Sequence, residues 1–136
     1  FHEEAQAGRQ TVTLDSPRSA PSGRKDDSAK LDMTLVIDDL PHALEAVAEV
    51  LQWAVTKKQP TPYERGSWQN VPDFQRRYRA AMTRHMLNAA KSRIEGDAET
   101  DAETGLLELA HIATGALFQL EMAIRKQRGL GVPEGA

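Results

Sequence analysis

The chain has 136 residues, enough for one domain with a hydrophobic core. Its formal net charge of -3 excludes a general attraction to nucleic acid or to anionic membranes, and no apolar run is long enough to span a bilayer. The absence of cysteine excludes disulfides and thiolate metal sites, and aromatic residues make up only 5% of the chain, so Ala, Leu and Val must supply most of the core.

The N-terminal 30 residues are polar and rich in Ser, Pro, Gly and charge, and only residues 11–14 (TVTL) favour an extended segment. We interpret residues 1–30 as an arm that becomes ordered by contact with the body of the protein or with another subunit. An unstructured tail is the alternative interpretation. Residues 31–127 are expected to form the folded domain, and residues 128–136 a C-terminal tail.

The first long helix is predicted from about residue 40 to 58, because its apolar residues recur at helical spacing. Asp38 and Asp39 precede this segment and are expected to cap its N-terminus. Lys57 and Lys58 place positive charge at its C-terminal end, where the helix dipole is negative.

A loop is predicted over residues 59–72, which contain three prolines and a glycine. The second helix is predicted from about residue 73 to 94, with Asp73 as its N-terminal cap. One side of this helix carries most of its apolar residues, and a histidine falls on that same side. The residues on that side are Phe74, Tyr78, Ala81, Met82, His85 and Ala89.

An acidic connector, residues 95–104, leads into a third helix predicted from about residue 103 to 127. Asp101 or Thr104 is expected to cap that helix, and glycines and a proline after residue 128 end it. Three or four helices with short connections predict an all-α helical bundle. The scarcity of aromatic residues favours completion of the core by dimerisation.

Two polar residues of the third helix, Glu108 and His111, lie in an otherwise almost wholly apolar stretch and share a face because they are three residues apart. A helix that is apolar on nearly every side is expected to be buried. Removing an unpaired carboxylate from water is costly, so Glu108 needs a metal ion, another cation or a hydrogen-bond donor beside it. We expect His85 of the second helix to face this pair.

The acidic connector places more carboxylates before this pair, at Asp97, Glu99, Asp101 and Glu103. Carboxylates suit Mg²⁺, and imidazole also suits Mn²⁺ or other transition metals. We therefore expect one or two divalent cations, with His85 as a further ligand or as a proton acceptor. The expected metal ligands are Asp101, Glu103, Glu108 and His111. The alternative for the connector is a solvated loop that caps the helix.

Four further residues have side chains suited to binding a nucleotide. Arg84 can bind phosphate oxygens in a bidentate manner. Lys57 and Lys58 offer further positive charge, and the indole of Trp68 could stack on a base. The alternatives are a surface arginine paired with a glutamate, an ordinary helix end, and a tryptophan that covers the core.

Short sequence strings in a fixed order carry a family resemblance over about a hundred residues. They are KDD at 25–27, KLD at 30–32, VAEVL at 47–51, KK at 57–58, WQNVP at 68–72, RY at 77–78, RH at 84–85, DAETGL at 101–106, LAH at 109–111 and LF at 117–118. In these strings the chain resembles the dATP/dGTP diphosphohydrolases, the MazZ-like branch of the all-α MazG-type nucleotide pyrophosphohydrolases.

The resemblance implies an oligomeric α-helical bundle and an enzyme that depends on Mg²⁺ or Mn²⁺. The implied reaction is attack of an activated water on the α-phosphorus of dGTP or dATP, which yields the monophosphate and pyrophosphate. The resemblance also implies a phage-encoded protein that reshapes the nucleotide pool in the host cytoplasm.

The sequence departs from the family pattern at the expected metal site. The closer family usually has His where Glu108 stands and Asn where Gly115 stands. The broader superfamily has a Glu-Glu-x-x-Glu run on the middle helix, whereas residues 84–88 (RHMLN) contain no carboxylate. This departure favours the alternative function, a non-catalytic helical module that binds a nucleotide or another protein.

Overall fold

The computed structural model describes residues 20–131, and the long elements of this part are helices. The α-helices are α1 (Thr34–Ile37), α2 (Pro41–Thr56), α3 (Phe74–Glu95) and α4 (Glu108–Gln127), and a 3₁₀ helix, Ser67–Asn70, lies in the loop between α2 and α3. Within residues 20–131 the predicted all-α class is confirmed. The predicted extended segment at residues 11–14 lies outside the described residues.

The chain divides into two units, with the boundary between Asp32 and Met33. In the described part of the first unit, the Lys30 backbone N–H donates to the Asp27 carbonyl at 3.0 Å and closes a turn. The second unit contains α1 to α4. No helix within residues 20–131 combines the length and the hydropathy that a membrane span requires.

The main packing contact of the second unit joins α3 to α4, and α2 packs against α4. Gly115, buried in α4, is the point of close approach: a Cβ added there would lie 3.3 Å from Cβ of Met82 in α3. That separation is tighter than ordinary van der Waals contact. The helices can therefore pack this closely because residue 115 has no side chain.

Four of the few aromatic residues cluster beside α4. The Trp68 and Phe118 rings stack in parallel with centroids 4.2 Å apart, and Phe74 lies 4.7 Å from Tyr78. Tyr78 in turn meets Phe118 edge-on at 5.3 Å. The cluster joins the 3₁₀ helix, α3 and α4, so it compensates for the small size of the other core residues.

The predicted cap of the first long helix is wrong, whereas Asp73 is confirmed as the N-cap residue of the second, without a side-chain cap. Leu40, and neither Asp38 nor Asp39, occupies the N-cap position of α2, and no side chain caps it. The Asp38 backbone N–H instead donates to the Thr34 carbonyl at the end of α1, a helix that the sequence pattern did not predict. Asp73 does occupy the N-cap position of α3, but its carboxylate accepts a hydrogen bond from the Arg76 side chain and not from a backbone N–H.

The third long helix begins at Glu108 and not near residue 103, so Asp101 and Thr104 do not cap it. Residues 99–107, which we call the acidic turn, fold back on themselves and are closed by an isolated β-bridge between Thr100 and Leu107. Gly105 adopts a φ of 76° there, a left-handed conformation that favours glycine. The polar side chains expected to cap a helix hold this turn instead.

Gly115→Val is expected to lower the free energy of unfolding by about 1–3 kcal/mol, because the added methyl groups overlap the Met82 side chain. The matched control is Ala116→Val, which adds a β-branched residue at an exposed position of the same helix and should cost only about 0.6 kcal/mol of helix propensity. Urea denaturation measures both. An equal loss in the two variants would contradict the close approach of α3 and α4.

Candidate functional site

The centre of the candidate site is the side chain of Glu108, which opens α4 and is 3% exposed. Its Oε1 lies 2.6 Å from Nδ1 of His85, a half-buried residue of α3. Asp101 of the acidic turn brings Oδ1 to 3.5 Å from the same nitrogen. The buried carboxylate thus has a hydrogen-bond donor on the neighbouring helix, as the sequence required. Its position in the first turn of α4 also places its negative charge at the positive end of the helix dipole.

The backbone of the acidic turn fixes the orientation of Asp101. Its Oδ2 accepts the backbone N–H groups of Glu103 and Thr104, at 3.0 and 2.9 Å. Its own N–H donates to the Leu106 carbonyl at 2.8 Å, and its carbonyl accepts the Gly105 N–H at 2.8 Å. Because Oδ2 is engaged in this way, Oδ1 is the oxygen presented to His85.

The start of the acidic turn is attached to both α3 and α4. The Arg93 guanidinium of α3 forms two hydrogen bonds to the Glu99 carboxylate, at 2.9 and 3.0 Å, and this pairing lowers the pKa of Glu99. The Glu99 carbonyl accepts the Glu108 backbone N–H at 2.9 Å. These contacts set the position of Glu108 relative to the turn that carries Asp101.

His111 lies beside the cluster but has its own hydrogen-bond partner. Its ring stacks on the His85 ring with centroids 4.5 Å apart, and its Nε2 lies 2.7 Å from Oγ1 of Thr104. Burial lowers the pKa of His111 and the neighbouring imidazole lowers it further, although nearby carboxylates act in the opposite direction. The Thr104 hydroxyl already accepts the Leu106 N–H at 3.1 Å, so its own proton can be donated to a neutral His111.

Three residues offer ligand atoms that could hold a metal ion, because the atoms of His85, Asp101 and Glu108 all lie within 4.8 Å of one another. Metal–oxygen distances of about 2.1 Å in octahedral geometry place neighbouring ligand atoms roughly 3 Å apart. The 3.5 Å between His85 and Asp101 suits this spacing, while the 2.6 Å between His85 and Glu108 suits a shared proton. Two carboxylates and an imidazole therefore fit Mg²⁺ or Mn²⁺ if the His85–Glu108 contact lengthens slightly.

Glu103, also expected to bind metal, is engaged elsewhere. Its Oε2 lies 2.8 Å from Nζ of Lys58, a residue just beyond the end of α2. The hydrogen bond that Lys58 donates to Glu103 is the main cause of the raised pKa of Lys58. The Lys58 ammonium group also lies 5.9 Å from the ring centroids of Trp53 and Tyr63. The pair connects the end of α2 to the acidic turn, whereas Lys57 is the exposed C-cap residue of α2.

A groove of about 1160 Å³ lies between α2, the loop at residues 63–72 and α3. Trp68 and Arg84, two of the four residues expected to bind substrate, line it, whereas Lys57 and Lys58 do not. The Phe118 ring covers one face of the Trp68 ring. The interpretation of Trp68 as a residue that covers the core therefore accounts for part of its surface.

Sequence reasoning missed two arginines of this groove, Arg65 and Arg77. A signal for one of them was present, because Arg77 precedes Arg84 by seven residues and such residues share a helix face. Nothing in the sequence indicated that the loop would bring Arg65 to the same groove.

A family model described as "dATP/dGTP diphosphohydrolase, N-terminal" matches residues 20–129. No curated protein and no solved structure matches the chain. The family match spans α1 to α4, the acidic turn and every residue of the groove and of the cluster around Glu108. The chain therefore belongs to the dATP/dGTP diphosphohydrolase N-terminal family, as its resemblance to these enzymes indicated.

Proposed function

We propose that the protein hydrolyses a purine deoxynucleoside triphosphate, dGTP or dATP, to the monophosphate and pyrophosphate with the help of Mg²⁺ or Mn²⁺. The observation that carries this proposal is the buried carboxylate of Glu108, which shares Nδ1 of His85 with the Asp101 carboxylate. The family description supports the class of substrate. The setting in a phage-infected cell rests on the resemblance alone.

The ligand atoms of His85, Asp101 and Glu108 indicate where a cation would bind. Asp101 and Glu108 bring two carboxylates to one imidazole, and within residues 20–131 neither forms a salt bridge with Lys or Arg, although Lys58 interacts electrostatically with Asp101. A divalent cation held there would supply positive charge beside the triphosphate and lower the pKa of a nearby water. The buried position of Glu108 strengthens its attraction for a cation, because little water is present to screen it.

The two roles proposed for His85 use different ring nitrogens. Nδ1 faces both carboxylates, so it is the nitrogen that would act as a metal ligand. When Nδ1 instead keeps its proton and donates to Glu108, Nε2 becomes the basic nitrogen and can accept a proton from water. Stacking on His111 holds the ring plane in either case.

In the proposed reaction water is the nucleophile and pyrophosphate is the leaving group. The water oxygen forms a bond to the α-phosphorus. The bond between the α-phosphorus and the oxygen that bridges the α- and β-phosphates breaks, and pyrophosphate leaves with the bonding electrons. The released proton passes to His85 or to bulk water. Arg84 would brace the phosphates from the groove, because its guanidinium matches phosphate geometry.

The activity is tested by incubating the protein with each of the four dNTPs and with GTP, in Mg²⁺, in Mn²⁺ and in EDTA. We expect dGTP or dATP to give the monophosphate and pyrophosphate, and EDTA to abolish turnover. Separation of the products by ion-exchange chromatography provides the measurement. Metal-dependent binding of a non-hydrolysable purine analogue without turnover would instead support the non-catalytic module.

Glu108→Gln is expected to weaken Mn²⁺ binding at least about tenfold, because it removes a direct ligand, and loss of even outer hydrogen-bond partners costs about that much. Asp101→Asn should act in the same direction. Titration calorimetry measures both, with circular dichroism as a check of the fold. The matched control is Glu121→Gln, which removes a partly exposed carboxylate of the same helix that pairs with Arg125. Unchanged Mn²⁺ affinity in the Glu108 variant would rule out this cluster as the metal site.

We also propose that the protein forms a homo-oligomer through the outer side of α4. Within residues 20–131 only Phe74, Ala89, Ala110 and Met122 are buried apolar residues. By contrast Leu109, Leu117 and Leu120 are 70%, 46% and 56% exposed and fall on one side of α4 at helical spacing. An exposed apolar helix face of this kind marks a surface that a partner covers.

Leu117→Glu combined with Leu120→Glu is expected to convert the oligomer to a monomer, because each charge would have to be buried at the interface. Light scattering coupled to gel filtration measures the mass. Gln127→Glu adds a charge at an exposed polar position of α4 and should leave the mass unchanged. A monomeric unmodified protein over the micromolar range would contradict the proposal.

A further inference from the structure

The groove between α2, the 63–72 loop and α3 carries an unusual excess of positive charge for an acidic chain. Its lining contains three arginines, Arg65, Arg77 and Arg84, and one acidic residue, Glu64. Within residues 20–131 none of these three guanidinium groups forms an ion pair with a carboxylate. Three arginines of α3 and α4 that do not line the groove are paired with carboxylates. They are Arg76 with Asp73, Arg93 with Glu99, and Arg125 with Glu121.

The groove lining and the cluster around Glu108 share one element, α3. Arg84 directly precedes His85 in α3, and Ala81, which lines the groove, lies one helical turn before His85. Arg77 lies about two turns further along the same face, roughly 10 Å from Arg84 along the helix axis. A ligand that spans from the cluster into the groove would therefore meet Arg84 first and Arg77 further in.

We propose that Arg65, Arg77 and Arg84 form a polyphosphate subsite that holds the β- and γ-phosphates of the nucleotide, the part that leaves as pyrophosphate. This inference rests on the proposed function, because it takes the bond cleaved at the cluster to be the one between the α- and β-phosphates. It assigns Arg65 and Arg77 to substrate binding. It also places the phosphates, and not the base, in the part of the groove that the three arginines line.

The chemistry of the guanidinium group supports this assignment. Each group presents two parallel N–H donors to the oxygens of a phosphate and keeps its charge at any physiological pH. Apolar residues of the groove lining, among them Ala81 and Phe118, would lower the polarity around a bound phosphate and strengthen these interactions. Positive charge here would also offset the repulsion between the triphosphate and the carboxylates of Asp101 and Glu108.

The subsite is tested without metal and without turnover, by titrating the full chain with inorganic tripolyphosphate in EDTA at low salt and measuring the dissociation constant by calorimetry. Arg65→Gln and Arg77→Gln are each expected to weaken binding about tenfold or more, since each removes charge-assisted hydrogen bonds. Arg77→Lys keeps the charge without the paired donors and should give a smaller loss. The matched control, Arg79→Gln, removes an exposed arginine of α3 outside the groove lining and should change the constant less than about twofold.

A second titration with dGMP separates the subsite from a general disturbance of the groove. The Arg77 variants should lose affinity for tripolyphosphate and keep their affinity for dGMP, and equal losses for both ligands would overturn the assignment. Circular dichroism checks the fold, and Arg77→Lys replaces Arg77→Gln if the latter is unfolded. An unmodified protein that does not bind tripolyphosphate would also overturn it.

The two proposals can fail separately. If the protein binds tripolyphosphate through these arginines but hydrolyses no nucleotide, the proposed activity is wrong and the polyphosphate subsite stands. If it hydrolyses dGTP or dATP while the Arg65 and Arg77 variants bind tripolyphosphate as tightly as the unmodified protein, the activity stands and the subsite is wrong.

Discussion

The buried carboxylate of Glu108 is the constraint on which the rest of the structure depends. Its side chain is almost fully removed from water, so the fold must keep a polar partner beside it, and His85 at 2.6 Å is that partner. The contact joins α3 to α4 at the same interface that Gly115 allows to close tightly. The packing of α3 against α4 and the formation of the polar cluster therefore depend on each other, and a change that separates these two helices would disturb both.

The acidic turn provides the second half of the cluster through backbone geometry. Two N–H groups hold Oδ2 of Asp101, the Glu99 carbonyl accepts the N–H that begins α4, and Lys58 binds Glu103 from the end of α2. Arg93 of α3 also binds Glu99, so α2, α3 and α4 all contact this turn of nine residues. The result is a cluster in which two carboxylates approach one imidazole, and a bound divalent cation would offset this excess of acidic groups.

The sequence predicted the long helices and the meeting of His85 with Glu108, because helical periodicity and the cost of burying a charge act locally and strongly. It misplaced the start of α4, since the residue types that cap helices also build tight turns, and Asp101 and Thr104 do the latter. It expected Glu103 and His111 to bind metal, and this stays a prediction; Glu103 pairs with Lys58, and His111 contacts Thr104 and lies 3.9 Å from Oδ2 of Asp101. The Glu103–Lys58 pair spans 45 residues, a separation at which sequence pattern carries no information about contact.

The structure also bears on the strongest sequence argument for a non-catalytic module. Residues 84–88 contain no carboxylate, which departs from the pattern that the resemblance implies for the middle helix. In this chain α3 contributes the imidazole of His85 to the cluster, and the acidic turn contributes Asp101 at 3.5 Å from it. Although residues 84–88 of α3 contain no carboxylate, the acidic turn therefore brings the Asp101 carboxylate close to Nδ1 of His85. The number of acidic groups on one helix is therefore a poor guide to whether the cluster can hold a cation, because the turn after α3 supplies what the helix lacks.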